Sequence, residues 1–510
     1  MSITLLDVLF AVTGVFLLHR VAARGLKPKL PLPPGPKGLP VIGNVHQMPT
    51  SYEWFTFADW AKKWGDIISV TLLGQTLVIL DNPRHAVELL DRRSNIYSDR
   101  PVLMMAGELV GWNQALALSR YGDRFKEYRK FFHKVIGSRS NLQRFHGLVE
   151  TETHKFLRRV LHSPDEVHAH IRKTAAAISL MISHGYKVQE GHDAYVEVVN
   201  DAMDKFTVAT ATGAFLVDIL PVLRYIPQWF PSAEFQRKAA AWRTCLTDMT
   251  EIPFEFVKEQ MRAGTNVPNL VSELLTTEEL TPEKLYNIEW SGASLYAGGA
   301  DTTVSSIHGF FLAMTLFPDA QRKAQEEIDA VIGPDRLPTL EDRPNLPYVD
   351  ALVKEVFRYH PVVPMGLPHR VTQDDEYAGY LIPKDTIILA NVWKFLHDPE
   401  VYDEPMTFNP SRFLASEGKE PECDPRDFCF GFGRRVCPGL LLADVSVWTS
   451  CAMTLATLDI SHAMENGKVV EVEDVYLSGT ISHPKPFKCS IKSRSAGAES
   501  LVLSPEREVA

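Results

Sequence analysis

One cysteine of the chain lies in a glycine-rich turn that suits an anionic metal ligand. Cys437 belongs to the run Phe430-Gly431-Phe432-Gly433-Arg434-Arg435-Val436-Cys437-Pro438-Gly439. The glycines allow tight turns and let a flat ligand approach the backbone, because they carry no side chain. Arg435 adds a fixed positive charge suited to a carboxylate. The apolar run after Gly439 predicts a helix start, whose free N–H groups would favour an anionic sulfur. A buried structural cysteine is the alternative.

A second motif places polar groups inside an apolar helical stretch. The run Gly298-Gly299-Ala300-Asp301-Thr302-Thr303 lies in a predicted helix over about residues 290–316. Adjacent glycines cost a helix roughly 1 kcal/mol each, which is tolerated where a ligand approaches the backbone or the helix opens locally. Thr302 can donate a hydrogen bond to the carbonyl four residues earlier and bend the helix. Close packing against another helix is the alternative explanation for the glycines.

A third motif pairs an acid with a base. Glu355 and Arg358 are three residues apart and therefore share one face of a predicted helix. Such pairs are common on solvated surfaces, so the pair alone does not indicate a site. A further arginine, Arg412, follows in the segment Pro410-Ser411-Arg412-Phe413, between the pair and the cysteine turn.

These motifs, in this order, resemble those of the cytochromes P450. The turn matches the haem-binding signature of that family, Phe-x-x-Gly-x-Arg-x-Cys-x-Gly, at every fixed position. The resemblance implies haem b (iron protoporphyrin IX) as cofactor and Cys437 as the metal ligand. It implies that Asp301 and Thr302 are catalytic and guide protons toward dioxygen. The implied cofactor-binding residues of the turn are Phe430, Gly431, Arg435, Cys437 and Gly439.

The same resemblance assigns structural and haem-contacting roles elsewhere. Glu355, Arg358 and Arg412 would form a buried network that locks the cysteine turn, with Ser411 in place of a frequent acidic residue. The segment 121–129 resembles the helix that contacts the haem propionates. There Phe125 and Lys126 replace the usual Trp and Arg, so one propionate contact is expected to be lost because Phe125 has no N–H donor.

Two further residues are expected at the propionates. Arg129 keeps the position that the family gives to an arginine. His369 falls where related membrane-bound members place a propionate-binding histidine. A loop histidine without that role is an equally acceptable interpretation of His369.

The composition excludes several classes of protein. With 45% hydrophobic and 23% charged residues the chain of 510 residues is typical of a globular protein. Its net charge of −10 argues against nucleic acid as a partner. The six cysteines do not suggest a disulfide framework and indicate a reducing compartment. The spacing of Cys423, Cys429 and Cys437 does not match structural zinc sites.

The N-terminus has the pattern of a membrane anchor. Residues 1–23 contain an apolar run, and a helix over 3–23 would reach about 31 Å, enough for a bilayer core. Basic residues follow the run and none precedes it, which favours a retained anchor over a cleaved signal peptide. The positive-inside rule then places the remainder in the cytosol. Residues 24–40 form a basic, proline-rich hinge, for which an SH3-type ligand is the alternative.

The elements that would position these motifs are mainly helical with minor β sheets. Helical periodicity is found, for example, over residues 311–332 and 346–359. Strands are predicted at residues 67–73, 77–80 and 386–390. No linker divides the chain, so residues 41–490 are predicted to form one large domain, for which the resemblance implies the P450 fold. Residues 491–510 are predicted to be a flexible polar tail.

The resemblance implies a membrane-bound monooxygenase that receives electrons from NADPH through a separate cytochrome P450 reductase. Single-pass anchoring in the endoplasmic reticulum membrane, with a cytosolic catalytic domain, follows from the same likeness and from the anchor. Lys126, Lys130, Lys134 and Arg139 could form a basic patch that steers this reductase. A solvated helix face is the default interpretation of such charges.

Several segments, such as 94–101 and 379–384, resemble microsomal monooxygenases of basidiomycete natural-product pathways, of the O-methylsterigmatocystin oxidoreductase-like type. A lipophilic substrate is expected, with a terpenoid as first choice and an indole or polyketide aromatic as second. One alternative function is a reductase-independent thiolate-haem isomerase, dehydratase or peroxygenase, and another is a non-enzymatic haem-binding protein. By family position the substrate pocket would include Met104, Met105, Ala300, Val362, Val363, Met365 and Thr480.

Overall fold

The computed structural model describes residues 30–211 and 213–505. This part of the chain is mainly helical with small β sheets, as predicted. The anchor predicted at residues 1–23 and the basic start of the hinge lie outside the described residues.

The described helices follow the chain in a long series with short connections. The α-helices are α1 (Glu53–Trp64), α2 (Pro83–Ala86), α3 (Ser94–Tyr97), α4 (Asp123–Ile136), α5 (Arg139–Gln143), α6 (His146–His162), α7 (Val167–His184), α8 (Ala194–Thr210), α9 (Leu216–Ile219), α10 (Glu234–Ala263), α11 (Leu270–Thr277), α12 (Pro282–Leu316), α13 (Pro318–Val331), α14 (Pro347–Tyr359), α15 (Val392–Leu396), α16 (Arg426–Cys429), α17 (Leu440–Thr457) and α18 (Ala496–Leu503). Short 3₁₀ or π turns lie between them, among them Val87–Arg92, Met104–Val110, Trp112–Gln114, Pro410–Phe413 and Gly433–Arg435.

The strands form one larger sheet and three two-stranded antiparallel sheets. They are β1 (Ile67–Leu72), β2 (Gln75–Leu80), β3 (His369–Arg370), β4 (Asp375–Tyr377), β5 (Tyr380–Ile382), β6 (Ile387–Ala390), β7 (Leu458–His462), β8 (Met464–Glu465), β9 (Lys468–Val469) and β10 (Cys489–Ser493). The larger sheet has the order β1-β2-β6-β3, in which only β2 and β6 are parallel. All three strands predicted from the sequence are present in it.

Helix α12 crosses the centre of the fold. Its N-cap residue Thr281 accepts a hydrogen bond from the Lys284 N–H, and Pro282 occupies the first turn, where proline is well tolerated. Most of its residues from 287 to 315 are buried, against α7, α17 and neighbouring helices. A helix that is apolar on nearly every side belongs in a core. This helix therefore provides one wall of the central cavity.

The structure corrects two predictions made from periodicity and polarity. The helical pattern predicted over 311–332 is divided, because α12 ends at Leu316 and α13 begins at Pro318. The proline disfavours helical backbone at Phe317, which has ψ of 66°. The tail predicted to be flexible (491–510) instead contains the end of β10 and all of α18, and Val502 of α18 is fully buried. Burial of a few apolar residues is enough to dock this polar segment.

The described part of the hinge lies against the sheet. The Ser69 N–H in β1 donates to the Pro34 carbonyl (2.8 Å), and the Leu381 N–H in β5 donates to the Pro31 carbonyl (2.8 Å). Among the described residues one helix, α17, is long and apolar enough to cross a membrane, but most of it is buried in the protein. Its apolar composition is therefore that of a core helix.

Candidate active site

The Cys437 loop is a tightly turned segment between α16 and α17. The Cys437 N–H donates to the Phe430 carbonyl (2.8 Å). Gly431 and Gly433 have φ of +80° and +52°, where residues with a Cβ are strained. A Cβ at Gly433 would lie 2.3 Å from the carbonyl oxygen of Leu90. The loop therefore requires these glycines, and it presents Cys437 to the central cavity.

Several groups around the Cys437 sulfur stabilise its thiolate form and thereby oppose the effect of burial. The side chain lies within the fold but is open to the cavity. Burial raises the pKa of the Cys437 thiol, whereas the N–H groups of Gly439 and Leu440 and the Arg129 guanidinium lower it. These N–H groups belong to the predicted helix start, which is α17. The thiolate is the form of cysteine that binds a metal ion.

Four basic side chains line the cavity together with the sulfur: Arg100, Arg129, His369 and Arg435. Burial lowers the pKa of Arg435 to about 10, and Arg129 adds repulsion. Burial and then repulsion from Arg435 lower the pKa of Arg100 well below its usual range. Nη1 of Arg435 is buried without a hydrogen-bond partner. This excess of buried positive charge suits a ligand that carries carboxylates.

Backbone carbonyls orient these cations without neutralising them. Arg435 donates to the carbonyls of Ser98 and Ser119 (2.7 and 2.8 Å). Arg100 donates to two carbonyls just before β3 (2.7 Å each). Arg100 was not among the predicted site residues, although its segment was noted for its resemblance to fungal monooxygenases. Its place in the cavity depends on contacts with residues more than 250 positions away, which no local pattern reveals.

Two residues of the segment that was predicted to contact the haem propionates, Phe125 and Arg129, have defined contacts within the protein. The ring of Phe125 lies under the Arg435 guanidinium, 3.8 Å from its carbon to the ring centroid. Phe125 thus supports the cation by a cation–π contact instead of donating a hydrogen bond. Arg129 donates to the Val436 carbonyl (2.6 Å), next to the cysteine. The neighbouring Lys126 is exposed, pairs with Asp123 and does not line the cavity.

His369 is held at the edge of the sheet. It lies in β3, where it is paired with Ile388 of β6. Its Nδ1 is 2.7 Å from the Tyr97 carbonyl oxygen. Burial, followed by repulsion from Arg100, lowers the pKa of His369 well below its usual value, so that the imidazole is neutral. The residue lines the cavity, as the propionate-binding interpretation requires.

Glu355, Arg358 and Arg412 form a buried ionic network behind the cysteine loop. Arg358 donates twice to Glu355 (2.7 and 2.9 Å), and Arg412 donates to the same carboxylate (3.2 Å). A second carboxylate, Glu422, accepts from Arg412 (2.7 Å). Glu422 was not predicted, and it supplies the acid that Ser411 lacks. The three predicted residues are at most 3% exposed.

Haem fits this side of the cavity. The chain offers a thiolate from Cys437, cations for two carboxylates, and an orphaned guanidinium nitrogen that those carboxylates could satisfy. Phe430, Gly431 and Gly439 line the same space, where small or flat groups leave room for a macrocycle. We call this group, the Cys437 loop with Arg100, Arg129, His369 and Arg435, the thiolate wall.

The cavity-lining residues of the motif on α12 form a second wall, which we call the helix wall (Gly298, Gly299, Thr302 and Thr303). The Thr302 hydroxyl donates to the Gly298 carbonyl (2.6 Å), and both residues line the cavity. A Cβ at Gly299 would lie 2.3 Å from Oγ of Ser179, whereas nothing lies within 4 Å of one at Gly298. The two glycines therefore differ in role. Both line the cavity, and Gly299 in addition allows close packing of α12 on α7.

Asp301 points away from the cavity. It is buried and does not line the cavity. Its Oδ1 is 3.2 Å from Nε2 of His483 and 3.6 Å from Nη2 of Arg172. Burial would raise the pKa of Asp301, but the His483 and Arg172 side chains outweigh burial and lower it. Asp301 and Thr302 are thus neighbours in sequence that face different surroundings.

The cavity has a volume of about 340 Å³. Of the predicted substrate-pocket residues, Val362, Val363 and Thr480 line it. Four predicted residues do not: Met104, Met105, Ala300 and Met365. These four pack into the surrounding protein, because family position specifies a segment but not which way each side chain turns. The lining residues that were not predicted include Trp112, Leu116, Met203, Phe206, Ser294 and Ala297.

The fold and the two walls define a haem-thiolate protein. The family model for cytochrome P450 matches residues 33–491. The chain is 53% identical over 496 residues to cytochrome P450 monooxygenase 208 of Postia placenta, which covers 97% of this chain and 96% of the relative. It is 46% identical over 502 residues to cytochrome P450 monooxygenase claR of Ampulloclitocybe clavipes, with 98% and 93% coverage.

A third relative is O-methylsterigmatocystin oxidoreductase of Aspergillus flavus, 36% identical over 504 residues, with 98% of this chain and 94% of the relative covered. The chain belongs to the cytochrome P450 family. It is accordingly an oxidoreductase, with haem as its cofactor and with the P450 fold.

Proposed function

We propose that this protein is a monooxygenase that inserts one atom of dioxygen into a lipophilic small molecule, by hydroxylation or a related oxidation, in fungal secondary metabolism. Its electrons come from NADPH through a separate cytochrome P450 reductase. The observation that carries the proposal is that Cys437 and Thr302 line one cavity. The fungal monooxygenase relatives support the same reaction class.

The residues of the two walls have separate tasks in this proposal. Bound haem supplies the activation of dioxygen, and thiolate ligation favours cleavage of the O–O bond. Cys437 would provide the ligand to the haem iron, while Arg100, Arg129, Arg435 and His369 would hold the haem carboxylates. The Thr302 hydroxyl presents a proton donor to the cavity, and Asp301 supplies protons to it from behind the helix wall.

The distribution of charge in the cavity favours an uncharged, apolar substrate. The charged lining side chains of the described residues belong to the thiolate wall, whereas the remaining lining includes Trp112, Phe206, Val362 and Ile481. The Trp112 and Phe206 rings meet edge to face at 4.8 Å. Such a lining binds lipophilic molecules by burial. A terpenoid is our first choice of substrate, and an indole or polyketide aromatic is the second.

We also propose a single-pass anchor in the endoplasmic reticulum membrane, with the catalytic domain in the cytosol. The apolar N-terminal residues support it, although they lie outside the described part of the chain. A surface near α9 adds support, because Leu216, Val222, Tyr225 and Trp229 are between 67% and 80% exposed. Aromatic residues of this kind are frequent at membrane interfaces.

The reductase is proposed to dock on a basic surface formed by one face of α4 and the first residue of α5. Lys126, Lys130, Lys134 and Arg139 are all exposed. Lys126 pairs with Asp123 and Lys134 with Glu278, so part of the charge is already compensated. Charge reversal of the three lysines to glutamate is expected to slow reduction by the reductase. The control is reversal of Lys62 and Lys63 on α1, and unchanged reduction at low salt in the triple variant would contradict this docking site.

The activity itself is tested by expressing the full chain with a fungal reductase and screening terpenoids and aromatics by mass spectrometry. The expected result is a product that has gained one oxygen atom and depends on NADPH and the reductase. A product of unchanged oxidation state, or one formed with peroxide alone, would instead indicate an isomerase, dehydratase or peroxygenase. Absence of the thiolate-type carbon monoxide spectrum would overturn the haem-thiolate assignment.

A further inference from the structure

A cluster of ionisable side chains lies behind the helix wall, outside the cavity. Asp301 is its centre, and the side chains that face it come from different elements. Arg172 and His168 belong to α7, and His483 belongs to the segment between β9 and β10. His308, about two helical turns further along α12, packs against His168 with ring centroids 4.8 Å apart. Asp204 of α8 joins the cluster through Arg172 (3.3 Å).

The cluster is buried and incompletely hydrogen-bonded. The Asp301 side chain is 5% exposed. Oδ1 of Asp301, Nδ1 of His483, Nδ1 of His308 and Nε of Arg172 are buried without a hydrogen-bond partner of good geometry. Most buried polar groups in proteins are satisfied, so orphaned atoms concentrated around one carboxylate indicate a functional arrangement.

Only one group in the cluster can both hold Asp301 as an ion and give it a proton. Arg172 stays charged and cannot deprotonate. Burial and repulsion from Arg172 lower the pKa of His168 to about 4. Burial and repulsion from His168 lower the pKa of His308 to about 3. Both imidazoles are therefore neutral near pH 7, which leaves His483, with its Nε2 3.2 Å from Oδ1 of Asp301.

His483 is also connected to the substrate side of the cavity. Thr480 and Ile481, just before it, line the cavity. The Ser482 N–H donates to the carbonyl of Val362, another lining residue (2.8 Å). Ser305 on α12 donates to the Ser482 carbonyl. The His483 side chain itself is 15% exposed and does not line the cavity, so it can exchange protons on the outer side.

We propose that His483 is a positioning residue for proton delivery, which holds the Asp301 carboxylate ionised and turned away from the cavity and releases it by protonating it. The transfer moves the Nε2 proton of the imidazolium to Oδ1 of Asp301. Both groups then become neutral, so their attraction is lost and the carboxyl group can turn toward Thr302. Solvent restores the proton of His483. This inference rests on the proposed monooxygenase function in one respect, namely that the delivered proton is used in that reaction.

Infrared spectroscopy of the haem-loaded full chain tests the first half of this proposal. The C=O band of a protonated Asp301, assigned with Asp301→Asn, is followed against pH without substrate or reductase. In His483→Phe we expect the Asp301 pKa to rise by at least about one pH unit, a tenfold change in the equilibrium. In His483→Arg, which keeps a cation at this position, the pKa should remain low. His308→Phe is the matched control and should titrate like the parent chain.

The second half of the proposal, proton delivery by His483, is tested by how much of the consumed dioxygen is lost as hydrogen peroxide. With NADPH, reductase and no added substrate, the share of consumed dioxygen released as hydrogen peroxide is measured. His483→Arg should raise this share severalfold, because arginine retains the charge but cannot pass a proton. His308→Phe should leave the share unchanged.

Two results would overturn the proposal. One is an Asp301 titration in His483→Phe that matches the parent chain, and the other is a parental peroxide share in His483→Arg. If His483→Phe does not fold, as judged by Tm, then His483→Asn serves in its place. Failure of the proposed monooxygenase function would leave the infrared titration unaffected, so the two failures are distinguishable.

Discussion

The two walls of the cavity are built in different ways. Behind the thiolate wall, the Glu355, Arg358 and Arg412 side chains satisfy one another with short hydrogen bonds. Around the helix wall, the atoms near Asp301 are buried but remain without good partners. Satisfied networks make a structure rigid, whereas unsatisfied buried groups are tolerated where a site must change its state. The difference supports the proposal that the first wall holds the cofactor and the second moves protons.

One feature of the thiolate wall resembles the helix wall. Nη1 of Arg435 is orphaned, but a haem carboxylate would satisfy it. The orphaned atoms around Asp301 lie outside the cavity, where neither haem nor a substrate bound in the cavity would reach them. Substitutions in the thiolate wall should therefore abolish the binding of haem. Substitutions in the helix wall should alter the oxidation reaction while haem still binds.

The largest effect is expected for Cys437→Ser. Serine removes the thiolate, so the red-shifted band of the reduced carbon monoxide complex should be lost completely. Cys429→Ser is the matched control, because Cys429 also lines the cavity but is not the proposed ligand. Retention of the band in Cys437→Ser, or its loss in Cys429→Ser, would contradict the assignment of the ligand.

The next effect concerns the network behind the thiolate wall. Arg358→Leu leaves the Glu355 carboxylate buried without its bidentate partner, which should lower the free energy of unfolding by about 3–5 kcal/mol and reduce haem content. Denaturant titration and haem quantitation measure the two changes. On the surface, Arg322 forms an ion pair with Glu326 and both side chains are more than half exposed. Arg322→Ala should cost less than about 1 kcal/mol; an equal loss would contradict the structural role of the network.

A smaller effect, on the oxidation reaction and not on haem binding, is expected for Thr302→Ala. The variant should bind haem and give the normal carbon monoxide spectrum, but the product formed per NADPH should fall by roughly tenfold to a hundredfold, since proton transfer by one positioned group contributes about that much or more. Thr315→Ala is the control, because Thr315 makes the same type of hydrogen bond on α12 (2.9 Å to Phe311) without lining the cavity. Normal coupling in Thr302→Ala would remove the helix wall from proton delivery.

The smallest effect is expected for Asp81, a buried carboxylate that belongs to neither wall. Asp81 accepts a hydrogen bond from Asn391 (2.8 Å), yet burial raises its pKa from 3.8 to about 7. Because the folded pKa is above the unfolded one, the stabilisation is complete below about pH 4 and is lost as the pH rises through 7. Asp81→Asn should therefore raise the free energy of unfolding at pH 8 by roughly 1–2 kcal/mol relative to its effect at pH 6. A pH-independent difference would contradict the raised pKa.

The motifs predicted most of the thiolate wall because each acts through its own backbone. The turns at Gly431 and Gly433 and the helix start at Leu440 are local features, so spacing alone indicated them. Arg100 and Glu422 escaped prediction for the opposite reason. Each belongs to the site only through partners that are distant in sequence or in an irregular segment.

The same distinction applies to the fold and to the substrate side. Strands β1, β2 and β6 followed from short β-branched runs, whereas the helical pattern predicted over 311–332 crosses the break at Phe317, because the apolar period continues on both sides of Pro318. Val362 and Val363 line the cavity as expected, but Met105 and Met365 do not. Orientation toward a cavity depends on how neighbouring elements pack, and a family position does not specify it.

The amino-acid sequence by itself determined the cofactor class and the glycine-rich turn that carries Cys437, since these depend on residue types at fixed spacing. Only the tertiary structure decided that Asp301 faces His483 and Arg172 instead of the cavity. Likewise it showed that Gly298 and Gly299 both line the cavity, and that Gly299 in addition allows close packing against Ser179 of α7. The physical reason is that adjacent residues on a helix point about 100° apart, so the chain around them selects which one reaches the site.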